Sequence, residues 1–171
     1  MEEPMSKEKI LLRATLCFLR RDHEVLLALK KKKIGEGCLN GYGGGIEEGE
    51  DEKASAVREL LEEAEVIAIP EDLQKIAIVY FHNITSSGIS FTCECHVYAL
   101  WRWRGEPKTT KEMTDPEWFS QDKLPFERLM LADRFWLPIA LGNRKIIAVV
   151  HYGPYQSELL RPVQIWDVEH F

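Results

Sequence analysis

The 171-residue chain has only short apolar runs, so no helix is expected to cross a bilayer. It also lacks a basic surplus: 22 Lys and Arg stand against 28 Asp and Glu, a formal net charge of -6. A nucleic-acid polymer, whose phosphates require a basic surface, is therefore not an expected partner. The opening MEEPMSKEKI is charged and has no apolar core of a secretory leader, so a cytoplasmic location is expected, with no membrane partner. The four cysteines, Cys17, Cys38, Cys93 and Cys95, form no CxxC or CxxH pattern, and reduced thiols are expected rather than disulfides. No Gly-Lys-Ser/Thr follows the glycines, which excludes a P-loop. Internal repeats, linkers and low-complexity blocks are absent too, which leaves a single domain over 1–171 with residues 1–8 as a flexible tail.

What is present is a hydrophobic share of 45%, enough for a real core. Strands are expected at Ile10–Arg20, Glu24–Leu29, Gln74–Phe81, Ser90–Trp103, Glu117–Phe119, Lys145–Tyr152 and Val163–Val168. His82–Gly88 and Lys108–Asp115 read as loops, and Asp122–Pro125 as the start of a helical turn. A helix is expected from Asp51 or Glu52 to Ala64, with Ala54, Val57, Leu61 and Ala64 as its buried stripe and Leu60 beside it. A second runs from Arg134 to Leu141, stopped by Gly142-Asn143. Many strands with two main helices make an α+β protein.

The stretch Gly41 to Val66 concentrates the chemistry. A glycine-rich loop (Gly41, Gly43, Gly44, Gly45, Gly49) leads into a helix on which Glu59, Glu62 and Glu63 stand at i, i+3 and i+4. At about 100° per residue they share a face, where like charges weaken a helix. Such a face either is plain solvated surface or holds a hard divalent cation. Arg58 is spaced to pair with Glu62.

Three other positions have two readings each. Lys30 ends a strand and either is solvated, like Lys31 to Lys33, or faces an anionic ligand. Asn40-Gly41 is a common turn pair, but a buried Asn offers the donor and acceptor that suit a purine edge. Asp133 either caps the second helix or takes part in a site.

The spacing Gly44, five residues, Glu50, seven residues, Arg58-Glu59-Leu60-Leu61-Glu62-Glu63-Ala64-Glu65-Val66 resembles the Nudix box, G-x5-E-x7-R-E-U-x-E-E-x-G-U, where U is bulky and aliphatic. Every defined position matches except Glu65, which replaces a glycine. The resemblance implies a Nudix fold, an α/β/α sandwich with a mixed central sheet and the box as loop and helix. It implies hydrolysis of a nucleoside diphosphate linked to another moiety with Mg2+, or Mn2+ as the other candidate. It makes Glu59, Glu62 and Glu63 metal ligands, gives Glu63 a part in activating water, has Arg58 orient the glutamates, and lets Gly44 complete the coordination.

Beyond the box the chain resembles the oxidised-purine nucleoside triphosphatase (8-oxo-dGTPase, MutT-like) branch. The carrying runs are Lys30-Lys31-Lys32, Leu39-Asn40-Gly41-Tyr42-Gly43-Gly44, Trp118-Phe119, Leu124-Pro125-Phe126 and Asp133-Arg134-Phe135-Trp136-Leu137-Pro138. That likeness implies a purine edge held by Asn40 and Asp133, a metal ligand at Glu112, a substrate lysine at Lys30, and conversion of a small-molecule nucleoside triphosphate to monophosphate and pyrophosphate by a monomer. The chain departs from the branch at Ala132 (an aspartate there), Met130 (a tryptophan stacking on the base) and Gly45 (a lysine). These departures leave two alternatives: hydrolysis of another nucleoside diphosphate derivative, or nucleotide binding without hydrolysis.

Overall fold

A computed structural model describes residues 8–31 and 36–171. Among them, nine strands form one connected mixed sheet: β1 (Arg13–Arg21), β2 (Glu24–Lys30), β3 (Leu39–Asn40), β4 (Tyr42–Gly45), β5 (Gln74–Ile84), β6 (Ser90–Leu100), β7 (Met113–Ser120), β8 (Ile146–Tyr152) and β9 (Gln164–Asp167). The helices are α1 (Glu52–Ala64) and α2 (Asp133–Leu141). The order β3-β2-β1-β6-β5-β8-β9 is extended by β4 on β1 and β7 on β2, and the β1–β6 and β5–β8 pairs are parallel.

Side chains of a strand alternate between faces, and here each face has its own helix. Cys17 and Leu19 of β1 and Tyr98 and Leu100 of β6 pack with Ala56, Leu60 and Ala64 of α1. Ala14 and Phe18 of β1 and Cys95 and Val97 of β6 pack with Trp136, Leu137 and Ala140 of α2. The sheet lies between the two helices, as an α/β/α sandwich requires.

Several elements differ from the sequence-based expectation. The glycine stretch is not a loop: Tyr42–Gly45 is a strand antiparallel to β1, with Gly43 opposite Leu16 and Gly44 opposite Thr15. A Cβ on Gly43 would lie 1.9 Å from the Thr15 carbonyl oxygen, so glycine here permits close approach. The buried stripe of α1 is Ala56, Leu60 and Ala64, flanked by Ser55, Glu59 and Glu63, while Ala54 and Leu61 face solvent. The two apolar stripes have the same helical period, and packing against β4 selected the one that turns Glu59 and Glu63 inward.

Other boundaries moved as well. Pairing with β6 extends β5 to Ile84, where a loop was expected, and pairing with β2 starts β7 at Met113. The helical turn after Pro125 is a 3-10 segment, Phe126–Arg128. Helix α2 begins at Asp133, and Asp133 is not its N-cap; that position is Ala132, which has no capping side chain. Of the expected tail, residues 1–7 lie outside the described residues, whereas the Glu8 carboxylate accepts from the Ser86 N–H at 3.0 Å and the Tyr155 N–H at 3.1 Å. All four cysteines are free.

Candidate active site

Helix α1 is capped by Asp51, whose carboxylate accepts from the Ala54 N–H at 2.8 Å. It ends at Glu65, which adopts the left-handed conformation (φ 56, ψ 34) and donates its N–H to the last-turn carbonyls. Glu65 thus takes the backbone shape that suits the box glycine, at a local cost of about 1–2 kcal/mol.

Between those ends, Glu59 and Glu63 are buried and come together with half-buried Glu112, their ligand oxygens lying within 4.8 Å of one another. Glu63 is placed by the Gly43 N–H, which donates to its Oε1 at 2.7 Å. Glu112 comes from the far side of the site. Its carbonyl accepts from the Lys31 N–H at 2.9 Å as β7 begins beside Lys30. The Thr110 hydroxyl ties the two ligand sources together. It donates to the Glu63 carbonyl at 2.8 Å and accepts from the backbone N–H groups of Glu112 at 3.4 Å and Met113 at 3.3 Å.

Glu62 stands apart from this cluster: its side chain is 52% exposed and accepts from Arg58 at 3.2 Å. Arg58 is the hub of the surround. It makes a bidentate pair with Glu50 (3.0 and 2.7 Å), bonds Glu59 at 2.9 Å, and donates to the Gly45 carbonyl at 3.0 Å. The Arg58 hydrogen bonds hold the Glu50 carboxyl down to about 2. Gly44 backs the cluster, since a Cβ there would sit 2.5 Å from Glu59 Oε1.

Crowding three carboxylates has an electrostatic consequence. Burial pushes the Glu63 carboxyl up to about 8, the charges of Glu59 and Glu112 push the same way, and Lys30 and the Gly43 N–H oppose them. A hard divalent cation removes this conflict, because it supplies the charge that oxygen ligands in such a cage require. The donor set therefore fits a divalent metal.

A cleft of about 760 Å³, counted with its open mouth, adjoins the cluster on the α2 face of the sheet. Lys30, Gly43 and Gly44 belong to both regions: they line the cleft and contact or face the glutamates. Asn40, Met130 and Asp133 also line it. Asn40 is the last residue of β3 and its Oδ1 accepts from the Gly41 N–H at 2.8 Å. Asp133 is buried and accepts from Trp136 Nε1 at 3.2 Å, and burial pushes its carboxyl up to about 7. Lys31 is exposed, and the Lys32 and Lys33 readings lie outside the described residues.

Sequence reasoning missed a large part of the cleft wall. Phe81 and Asn83 of β5, Phe91 and Cys93 of β6, and Gln156 beyond β8 all line it. Cys93 and Cys95 stand two residues apart on β6 and so share a face, but nothing in the sequence tells which face the cleft would occupy. Thr110 carried no signal either, since it lies in a polar loop that reads as solvated.

Comparison with known proteins agrees with this architecture. Residues 11–138 match the NUDIX domain family, and the chain belongs to it. It is accordingly a hydrolase acting on phosphoric anhydride bonds. It is similar to the oxidized purine nucleoside triphosphate hydrolase of Mus musculus, with 30% identity over 92% of this chain and 96% of that one. The protein of the same name from Danio rerio is 34% identical over 78% of this chain and 81% of its own. Among solved structures, the MutT protein of Bacillus halodurans shares the fold with a TM-score of 0.72 and 23% identity, over 91% of this chain and 97% of that one. Nudix hydrolases use divalent metals and small nucleotide substrates, in keeping with the carboxylate cluster and its adjoining cleft.

Proposed function

We propose that the protein is a Mg2+-dependent pyrophosphohydrolase of oxidised purine nucleoside triphosphates of the 8-oxo-dGTP or 2-oxo-dATP type, releasing monophosphate and pyrophosphate. One observation carries this reading: the three-carboxylate cluster and the adjoining cleft share Lys30, Gly43 and Gly44, so a base in the cleft would have its phosphates at the glutamates. The two relatives named for oxidised purine triphosphates support the substrate class.

In this reading Glu59, Glu63 and Glu112 would hold the ion, with the Gly44 carbonyl as a further oxygen donor and Glu62, now turned to solvent and Arg58, joining from the edge of the cluster. Mn2+ satisfies the same donors. When bound, the ion offsets charge developing on the phosphates and acidifies a coordinated water. Glu63, held in place by the Gly43 N–H at 2.7 Å, would take up the proton of that water. Arg58 fixes Glu59 through their 2.9 Å bond and braces the strand–helix junction through Glu50 and Gly45. Lys30 meets the phosphate charge. Asp133 and Asn40 take the purine edge, and Met130 covers a ring face. The chain acts as a single-domain monomer, and its four free thiols suit a reducing, cytoplasmic compartment.

A panel of 8-oxo-dGTP, 2-oxo-dATP, dGTP, a dinucleotide and a nucleotide sugar, each with Mg2+ and with product identity read out, tests the proposal. An oxidised purine triphosphate should lead the panel and yield pyrophosphate. Preference for the dinucleotide or sugar would overturn the substrate class. Tight binding of nucleotide without turnover would overturn the activity.

A further inference from the structure

We propose that residues 8–12 form a strap over the outer end of the cleft, with Leu11 as its cleft-facing side chain and Glu8 as its pin. Glu8 is then a positioning residue, which sets how tightly a nucleotide is held without touching it. This rests on the nucleotide-hydrolase reading above and adds the segment that retains the ligand.

Strands β5 and β8 run parallel and in register as far as Asn83 and Tyr152, and there they part. β5 continues into the hairpin toward β6, whose turn holds Ser86, while β8 passes into the 3-10 turn Pro154–Gln156. Beyond the point of separation the backbone N–H groups of Ser86 and Tyr155 lie outside the strand ladder. The Glu8 carboxylate accepts both, from Ser86 at 3.0 Å and from Tyr155 at 3.1 Å. The Ser86 hydroxyl donates to the Tyr155 hydroxyl at 3.4 Å beside them. Hydrogen bonds to an ionised acceptor are stronger than neutral ones, so one side chain closes the gap between the two elements.

The other end of the strap is held by backbone. The Leu12 carbonyl accepts from the Glu94 N–H at 2.9 Å, and β1 begins at Arg13. Between these ends the chain is neither helix nor strand. Leu11 is half-buried, lines the cleft and lies against Gly45 at the end of β4, where a Cβ would come 2.7 Å from Leu11 Cδ1. Gly45 is one of the positions where the chain departs from the related branch, and its missing side chain leaves the room that Leu11 fills. The hairpin and the turn that Glu8 joins supply cleft wall as well, through Asn83 and its register partner Phe91 on one side and Gln156 on the other. The pin thus ties together three segments of one wall.

A segment fixed at its ends, with no ladder of its own, opens at a lower free energy than the sheet beneath it, and such segments gate ligand entry and release. With Glu8 seated, Leu11 adds apolar wall and keeps water out of the cleft. With Glu8 released, that wall opens. The glutamate cluster is anchored elsewhere, on β4 and α1 through the Gly43 N–H and Arg58, so the strap bears on retention of the nucleotide and not on the chemical step.

The test uses the full chain with Mg2+. Wild type, Glu8→Ala, Glu8→Gln, Leu11→Ala and the Glu8→Ala/Leu11→Ala double variant are compared by steady-state kinetics on 8-oxo-dGTP, calorimetric binding of 8-oxo-dGMP, and amide hydrogen exchange. Glu8→Ala should speed exchange at Ser86 and Tyr155 with β1 and β6 unchanged, raise KM and Kd about fivefold, and leave kcat within about twofold. Glu8→Gln keeps the length and one acceptor oxygen and should fall between wild type and Glu8→Ala. The double variant should lose little more than the worse single one, because both side chains act through one strap. Unchanged KM and Kd in Glu8→Ala, a fall in kcat with KM unchanged, or losses that multiply in full in the double variant would each overturn the inference. A wild type inactive on 8-oxo-dGTP but active on another nucleotide of the panel would overturn the substrate class alone, and the same comparison on that nucleotide then decides the strap. A wild type that neither binds nor hydrolyses any of them would overturn the functional reading and this inference together.

Discussion

Gly43 and Glu63 are joined by a 2.7 Å hydrogen bond from the backbone N–H of a strand to the carboxylate of a buried helical residue. The bond exists because β4 is bare of side chains where α1 crosses it. Gly44, the next residue, lets Glu59 lie against the same strand. The strand and the two glutamates form one unit, and each glycine has a distinct sensitivity.

A methyl group at Gly43 would meet backbone, the Thr15 carbonyl at 1.9 Å, whereas one at Gly44 would meet the end of a side chain, Glu59 Oε1 at 2.5 Å. Gly43→Ala is expected to disrupt the β1–β4 pairing and destabilise the protein by about 3 kcal/mol or more. Gly44→Ala is expected to cost about 1 kcal/mol in stability but to displace the Glu59 carboxylate and lower turnover at least about tenfold. Urea denaturation and steady-state kinetics on both variants separate the two effects. Equal stability losses would contradict the distinction.

Thr110 bonds the Glu63 carbonyl and receives the N–H groups of Glu112 and Met113, so it sets the spacing between ligands from two elements. Thr110→Val is expected to weaken Mn2+ binding about tenfold, as loss of a ligand-orienting partner typically does. Thr110→Ser retains the hydroxyl and should restore affinity. Titration of Mn2+ by electron paramagnetic resonance reads this directly, and unchanged binding in the valine variant would refute the role.

Asp133 carries a pH dependence. Burial raises its carboxyl from 3.8 to about 7 in the fold. Below about pH 4 both folded and unfolded chains hold the proton. As pH rises from there toward 7 the unfolded chain releases it first, so stability falls, and the loss is complete above the folded value. Asp133→Asn keeps an acceptor for Trp136 and removes the titration, so it should gain stability on the order of a few kcal/mol at pH 8 and little at pH 4. Urea unfolding at the two pH values decides the matter; a variant as pH-sensitive as the wild type in this range would show that Asp133 is not the group responsible.

Glu65 holds a left-handed backbone at the end of α1, and among the described residues its side chain pairs with an exposed lysine, Lys108, at 3.8 Å. Glu65→Gly should stabilise the protein by about 1 kcal/mol and leave the cleft and the cluster unaltered. A melting temperature that rises with kcat unchanged is the expected result. A fall in stability would mean that the Lys108 contact outweighs the backbone strain.

The sequence was most legible where spacing alone carries meaning. The period of α1 and the box pattern could be read directly, because local backbone geometry determines which side chains are neighbours on a helix. Legibility failed one level up. Ala54, Val57 and Leu61 fit a buried stripe as well as Ala56, Leu60 and Ala64 do, and the helix was rolled by about one residue from the expected orientation. The glycines read as a loop because their function, admitting Thr15 and Glu59, involves residues that are distant in sequence.

By itself, then, the sequence determined the class of fold and the helix with its glutamates and arginine, which follow from residue type and spacing; the parts expected of Glu112 and Asp133 rested on the family resemblance alone. Only the tertiary structure decided that Glu59 and Glu63 turn inward to meet Glu112 while Glu62 stays in solvent. It also decided that Asp133 is buried in the cleft rather than capping α2, and that Asn83 and Gln156 share a wall. The physical reason is common to all of these: strand register and helix roll are settled by packing against distant segments, and a carboxylate's charge and partners depend on how far that packing removes it from water.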